Sequence, residues 1–81
     1  MHELSLAQGL LDQLEDLARE HKAKTVCVVR VDVGEQSGIV VDSFSFGFNA
    51  LKQDKKLTEN ALLEINQPPG TELILAQVEM E

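Results

Sequence analysis

Valine occurs five times between Thr25 and Gly34, at positions 26, 28, 29, 31 and 33. With Cys27 among them, the stretch is β-branched or small and apolar over most of its length, which suits a pleated, half-buried surface better than a helix. Read at period two, Cys27, Val29, Val31 and Val33 share one face. On the other face Val26 and Val28 give way to Arg30 and Asp32. The segment therefore reads as a strand with one face buried throughout and one that becomes wet. Cys27 falls on the buried face with no activating group nearby in sequence, so it reads as a small core hydrophobe and not as a reactive thiol.

The residues ahead of this strand have a different period. Leu4, Ala7, Leu10, Leu11, Leu14, Leu17 and Ala18 recur at three and four residues, while Gln8, Asp12, Glu15, Asp16 and Arg19 occupy the opposite side. That is the stripe of an amphipathic helix from about Leu4 to about Lys22. Ser5 three residues before Gln8 has the form of a capping box, which would satisfy the first unpaired backbone donors. His21, Lys22 and Lys24 place positive or titratable groups where the helix dipole favours them, and His21 reads as a dipole partner there.

After the strand, Gly34 and Gly38 bracket a polar triplet and supply the backbone freedom of a tight reversal. No lysine or helix start follows in the way a phosphate-binding loop requires. The segment from Asp42 to Leu51 is ambiguous. Phe44, Phe46 and Phe48 alternate as in a strand, whereas Phe44, Phe48 and Leu51 have helical spacing with Asp42 available as a cap. The pattern slightly favours the strand, with the aromatics in the core either way. Lys52 to Lys56 is a charged connector. Two further strands follow, Ala61 to Ile65 and Glu72 to Met80, with Ile74, Ala76, Val78 and Met80 on one face of the latter. The Pro68-Pro69-Gly70 turn between them suggests a hairpin.

With 81 residues the chain is a single small domain, and domains of this size bury only about 60% of the surface their unfolded chains expose. Cys27 is the sole cysteine, which excludes an internal disulfide and a zinc site of clustered thiolates, and fits a reducing cytoplasm. Fourteen acidic residues against seven basic give a net charge of −7, which disfavours nucleic acid and anionic membranes as partners and is compatible with a cation as ligand. No apolar run approaches a membrane span, and the start lacks the layout of a secretion signal. Neither histidine has a sequence-evident nucleophile, and the carboxylates sit on a solvated helix face, so the chain does not read as an enzyme.

The first three residues, Met1-His2-Glu3, carry the most specific chemistry. A free terminal amine has a pKa near ~8 and yields its lone pair readily at neutral pH. The His2 imidazole titrates near ~6.5. Between them lies the His2 backbone nitrogen, which a polarising divalent ion can deprotonate. Amine, amide and imidazole can then close two fused chelate rings, with the Glu3 carboxylate or its amide as a fourth donor. Such a set suits Ni(II) or Cu(II) better than zinc or magnesium. The plain alternative is a solvated terminus with no ligand.

Several stretches together resemble the HypA/HybF family of hydrogenase nickel-incorporation proteins. They are Met1 to Gln8, Ala23-Lys24, Val31 to Gly38, Asp42 to Phe48, Ala61 to Ile65 and Thr71 to Glu79, in order and with natural spacing. The resemblance implies an α/β (α+β) domain in which a three-stranded sheet packs with two helices, and it places the phenylalanines on the second helix. It implies a metallochaperone that delivers nickel for maturation of nickel–iron hydrogenase. His2 then corresponds to the essential nickel ligand, with the terminal amine supplied by Met1. Glu3 corresponds to a residue tied to nickel binding or to recruiting the GTPase HypB. Asp42 is the nearest match to an acidic residue in the loop before the second helix. The implied partners are HypB and the hydrogenase large subunit.

One departure stands out. The family inserts a zinc-binding subdomain with two Cys-x-x-Cys pairs between its last two strands, where this chain has only the short loop near residues 66–71. The expectation is a nickel-binding domain over residues 1–81 that binds no structural zinc. The alternative reading is a docking module for HypB with no tight nickel site.

Overall fold

The computed structural model describes the backbone of residues 2–81 and the side chains from Glu3 onward. Helix α1 spans His2–His21, strand β1 Val26–Val33, helix α2 Val41–Leu51, strand β2 Leu62–Asn66 and strand β3 Leu73–Met80. A short 3-10 turn, Lys52–Asp54, extends α2.

Helix α1 begins further upstream than the capping-box reading placed it. Ser5 is therefore an exposed residue inside the helix, and Gln8 donates from Nε2 to Asp12 Oδ1 at 3.0 Å, one turn further on. Its apolar stripe buries Ala7, Leu10, Leu11, Leu14 and Ala18, while Leu4 at the upstream end stays exposed. The C-terminal end closes with Lys22 in the left-handed region at φ 55. Ala23 N–H donates to the Ala18 carbonyl at 2.9 Å, and Lys22 N–H to that of Arg19 at 3.3 Å. These two bonds form the Schellman arrangement that satisfies the last carbonyls of a helix.

The sheet order is β2-β1-β3, with β1 parallel to β2 and antiparallel to β3. The expected β2–β3 hairpin does not form, because β1 lies between the two. A parallel β1–β2 pair needs a crossover of a dozen residues or more, and α2 with its flanking loops provides it. The proline loop must then pass over the end of β1 to reach β3.

Two register irregularities change which side chains face inward. One, between Val26 and Val28, lets Val26 join Val29, Val31 and Val33 in the core and leaves Cys27 half-buried instead of buried. The other shifts β3 at Ala76, so its inward residues are Leu73, Leu75, Val78 and Met80, and not the Ile74–Ala76–Val78–Met80 set that strict alternation predicts. Bulges of this kind insert one residue and flip the phase of everything beyond it.

Both helices pack against the same core, in which Phe44, Phe48, Leu14, Val29, Val31 and Val33 are fully enclosed. The opposite face of the sheet is open, with Leu62 and Ile74 exposed. Across it Arg30 donates from Nε to Glu64 of β2 and from Nη1 to Glu79 of β3, each at 2.7 Å. Glu79 first, then Glu64, holds the Arg30 guanidinium above its ordinary pKa, so one cation ties the three strands together.

Helix α2 resolves the ambiguous phenylalanine segment as a helix. Phe44 and Phe48 lie one turn apart in the core, while Phe46 points away and is 77% exposed. The three aromatics are therefore not all core.

Candidate metal centre

His2 is the first residue of α1, and its position matters for metal chemistry. The first four N–H groups of an α-helix have no intrahelical acceptor. The backbone nitrogens of His2 and Glu3 can thus be deprotonated without breaking a bond of the helical ladder. The Met1 amine and the His2 imidazole, the other expected donors, lie outside the described residues. Among the described residues, no three His, Cys, Asp or Glu side chains converge as a metal cluster.

Glu3 and Asp42 are brought to the same corner by the packing of α1 on α2. The Glu3 carboxylate accepts a hydrogen bond from the Val40 N–H at 3.2 Å. Val40 is the N-cap residue of α2 and has no side-chain cap of its own, so an acid from the neighbouring helix serves its amide. Asp42 follows two residues later, in the first turn of α2, where a negative charge complements the helix dipole. It is exposed and shares a surface groove with Leu4 of α1.

That groove is the feature the sequence pattern missed. It is lined by Leu4, Asp42, Ser43, Phe46, Gly47 and Ala50, with a volume of about 350 Å³. Gly47 explains the closeness of the helices here, since a Cβ at that position would lie 3.3 Å from Leu4 Cδ1 and 3.7 Å from Ala7 Cβ. The signal that could have found it is the pairing of an exposed helical Phe46 with a glycine beside it, visible only once α2 is read as a helix.

The other expected features lie elsewhere. His21 is exposed in the last turn of α1 beside Arg19, at the negative end of the helix dipole and at the far end of the helix from His2. The glycine-bracketed turn does not approach a ligand site but grips the proline loop. Glu35 N–H donates to the Pro68 carbonyl and Gln36 N–H to the Gly70 carbonyl, each at 2.8 Å, and Gly70 N–H donates back to Gln36 Oε1 at 2.6 Å. With Gly34 N–H donating to the Glu72 carbonyl at 2.8 Å, four hydrogen bonds among the described residues close the loop between the last two strands on the body of the domain. No helix among the described residues is long and apolar enough to cross a membrane.

Comparison with known proteins agrees with the fold just described. The family model described as "Hydrogenase/urease nickel incorporation, metallochaperone, hypA" matches residues 1–73. The hydrogenase maturation factor HypA of Alkalilimnicola ehrlichii is 44% identical over 70 residues, covering 86% of this chain and 61% of the relative. That of Albidiferax ferrireducens is 38% identical over 79 residues, covering 98% of this chain and 69% of the relative. The chain therefore spans roughly six- to seven-tenths of the length of these two proteins. The solution structure of the Ni metallochaperone HypA from Helicobacter pylori superposes with a TM-score of 0.79 at 17% identity, covering 98% of this chain and 86% of that one. A second HypA solution structure gives 0.83 at 20% identity, covering 100% and 97%. At those identities the structures establish the fold alone, whereas the family model spans most of the sequence: the chain belongs to the HypA family of hydrogenase/urease nickel-incorporation metallochaperones.

Proposed function

We propose that this chain binds one Ni(II) at its N-terminus and passes it on during maturation of nickel–iron hydrogenase. The donors are the Met1 amine, the His2 amide nitrogen and the His2 imidazole, with Glu3 as a further donor through its carboxylate or its amide. Asp42 contributes negative charge from the adjacent turn. The observation that carries this reading is the start of α1 at His2, which leaves the amides of residues 2 and 3 outside the helical hydrogen-bond ladder. A planar nitrogen-rich set matches the preference of Ni(II). A site on the first turn of an exposed helix end can exchange ligands with an acceptor protein, which a buried cage cannot. Residues 1–81 form the nickel-binding domain in this reading. In the same reading the closed loop near 66–71 takes the place of the zinc subdomain that the family resemblance implies, and the chain has no structural zinc site. The partners are the GTPase HypB, recruited in part through Glu3, and the hydrogenase large subunit, in the cytoplasm.

A second reading is favoured by the Leu4–Phe46–Gly47 groove, whose exposed aromatic lies beside the same corner. In that reading the corner is a docking surface for HypB, without a tight nickel site. Calorimetric Ni(II) titration separates the two. The nickel reading predicts one-to-one binding, micromolar or tighter, that is lost in His2→Ala and when the amine is blocked by an N-terminal extension. Equal and weak heats in all three proteins would leave only the docking reading.

A further inference from the structure

The two helices meet along a seam that stays open to solvent, and the groove at Leu4 and Phe46 is its wider half. On α1 the seam follows Leu4, Gln8, Leu11 and Glu15, which are three or four residues apart and so share one face of the helix. On α2 and its 3-10 extension the opposite wall runs from Asp42 through Phe46 and Ala50 to Asp54. The half beyond Gln8 is narrower, about 130 Å³ against about 350 Å³.

Apolar and charged groups are ordered along this seam. Leu4, Val40 and Phe46 are large, apolar and exposed, and all three lie at its wider end. Single exposed hydrophobics need no explanation, but a contiguous patch of them marks a binding surface. The charged residues lining the seam are Asp42, Glu15, Asp54 and Lys55, and Lys55 is already bonded to Glu15. Neither Asp42 nor Asp54 is in an ion pair among the described residues. They stand at opposite ends of the seam, 12 residues apart. That is roughly 18–20 Å along the helix axis.

Both walls are helices whose backbone groups are bonded internally along most of their length, so an extended segment would find no ladder to join. A helix brings its own backbone bonds and lays an apolar stripe into such a groove. The two carboxylates call for positive charge on that helix, about three turns apart. A second copy of this chain supplies no such helix, since α1 exposes Asp12, Asp16 and Glu20 and α2 has no basic residue.

We infer that the α1–α2 seam binds an amphipathic helix of a partner protein, with a large apolar side chain seated against Leu4 and Phe46 and a lysine or arginine facing each of Asp42 and Asp54. The inference rests on the docking reading of this corner and adds the partner's chemistry: a helix with an apolar stripe that is basic at both ends. A contact of this length lies at the small end of specific interfaces, so binding is weak and salt-sensitive, on the order of 10–100 µM.

The probe is a labelled amphipathic helix of leucine and lysine, about 14 residues long to span the seam. Fluorescence anisotropy reads its binding to the metal-free chain, with a glutamate-for-lysine peptide as control. Binding in the stated range is expected for the first peptide and none for the second. Phe46→Glu is expected to weaken binding at least about tenfold, although it makes the chain more acidic. Its melting temperature should stay close to the parent's, because the position is exposed. Asp54→Lys is expected to weaken binding severalfold. No binding of the leucine–lysine helix overturns the inference. So does binding that Phe46→Glu leaves unchanged or tightens, since that is attraction between opposite net charges and not docking in the seam. If purified HypB binds the parent and is lost in Phe46→Glu while the leucine–lysine helix does not bind, the docking reading stands and this inference falls. Nickel is absent throughout, so the result does not depend on the N-terminal site.

Discussion

The Glu3 carboxylate caps the backbone of Val40, accepting its N–H at 3.2 Å across the α1–α2 interface. One side chain thus supports the start of α2 and directly follows the expected metal donors in the sequence. Glu3→Ala leaves the Val40 amide without this acceptor at the positive end of α2. The expected cost is about 1 kcal/mol, as for loss of a helix cap. Urea denaturation in metal-free buffer measures this separately from nickel. A variant as stable as the parent would show that water replaces Glu3 at no cost.

The three phenylalanines divide sharply. Phe44→Ala removes a fully buried ring and should cost about 3–5 kcal/mol. Phe46→Ser, at a position 77% exposed, should change stability by about 0.5 kcal/mol or less. If the segment were a strand with all three rings on one face, the two substitutions would cost similar amounts. Thermal denaturation of both variants settles which geometry holds in solution.

Gly34 is fixed by topology. The loop from β2 to β3 must cross the end of β1, and a Cβ on Gly34 would lie 2.3 Å from the Gly70 carbonyl oxygen and 2.6 Å from its carbon. Those are backbone atoms, so relief requires the loop to move. Gly34→Ala should therefore destabilise by about 1–3 kcal/mol, the range for overpacking. It should also speed amide exchange at Glu35, Gln36 and Gly70, whose N–H groups close the loop. Unchanged exchange at those three positions would contradict the account of the crossing.

The same closed loop bears on zinc. No cluster of metal-ligand side chains lies among the described residues. In His2→Ala, which lacks the proposed nickel site, treatment with a strong chelator should leave the melting temperature of the freshly isolated protein unchanged within about 1 °C, since any other metal that binds the native state alone would raise it. A substantial drop would mean that a bound metal stabilises the fold.

Much of this architecture is legible in the residues. The stripe from Leu4 to Ala18 identifies α1, and the valine-rich run identifies β1. What escapes is long-range. Period-two reading fails at Cys27 and Ala76, because a bulge depends on the partner strand, not on local sequence. The hairpin expectation fails because Pro68-Pro69-Gly70 marks a turn without saying which strand lies beneath it. The Ser5–Gln8 capping signature is overridden because α1 continues upstream to His2. The closeness of Glu3, Val40 and Asp42 follows from helix packing alone, although the resemblance to HypA proteins had singled out the two acids. The phenylalanine alternation favoured a strand, and that resemblance, not the pattern, pointed to the helix.

The most direct test of the central claim is proton release during Ni(II) binding by the metal-free chain with a free Met1 amine. Titrations near pH 7 in buffers of different ionisation enthalpy give the number of protons displaced. A chelate through the deprotonated His2 amide predicts one-to-one binding that releases more than one proton, because the amide proton leaves along with that of the amine. It also predicts loss of both binding and release in His2→Ala. Binding that releases no amide proton, or that survives His2→Ala undiminished, would contradict the N-terminal nickel site.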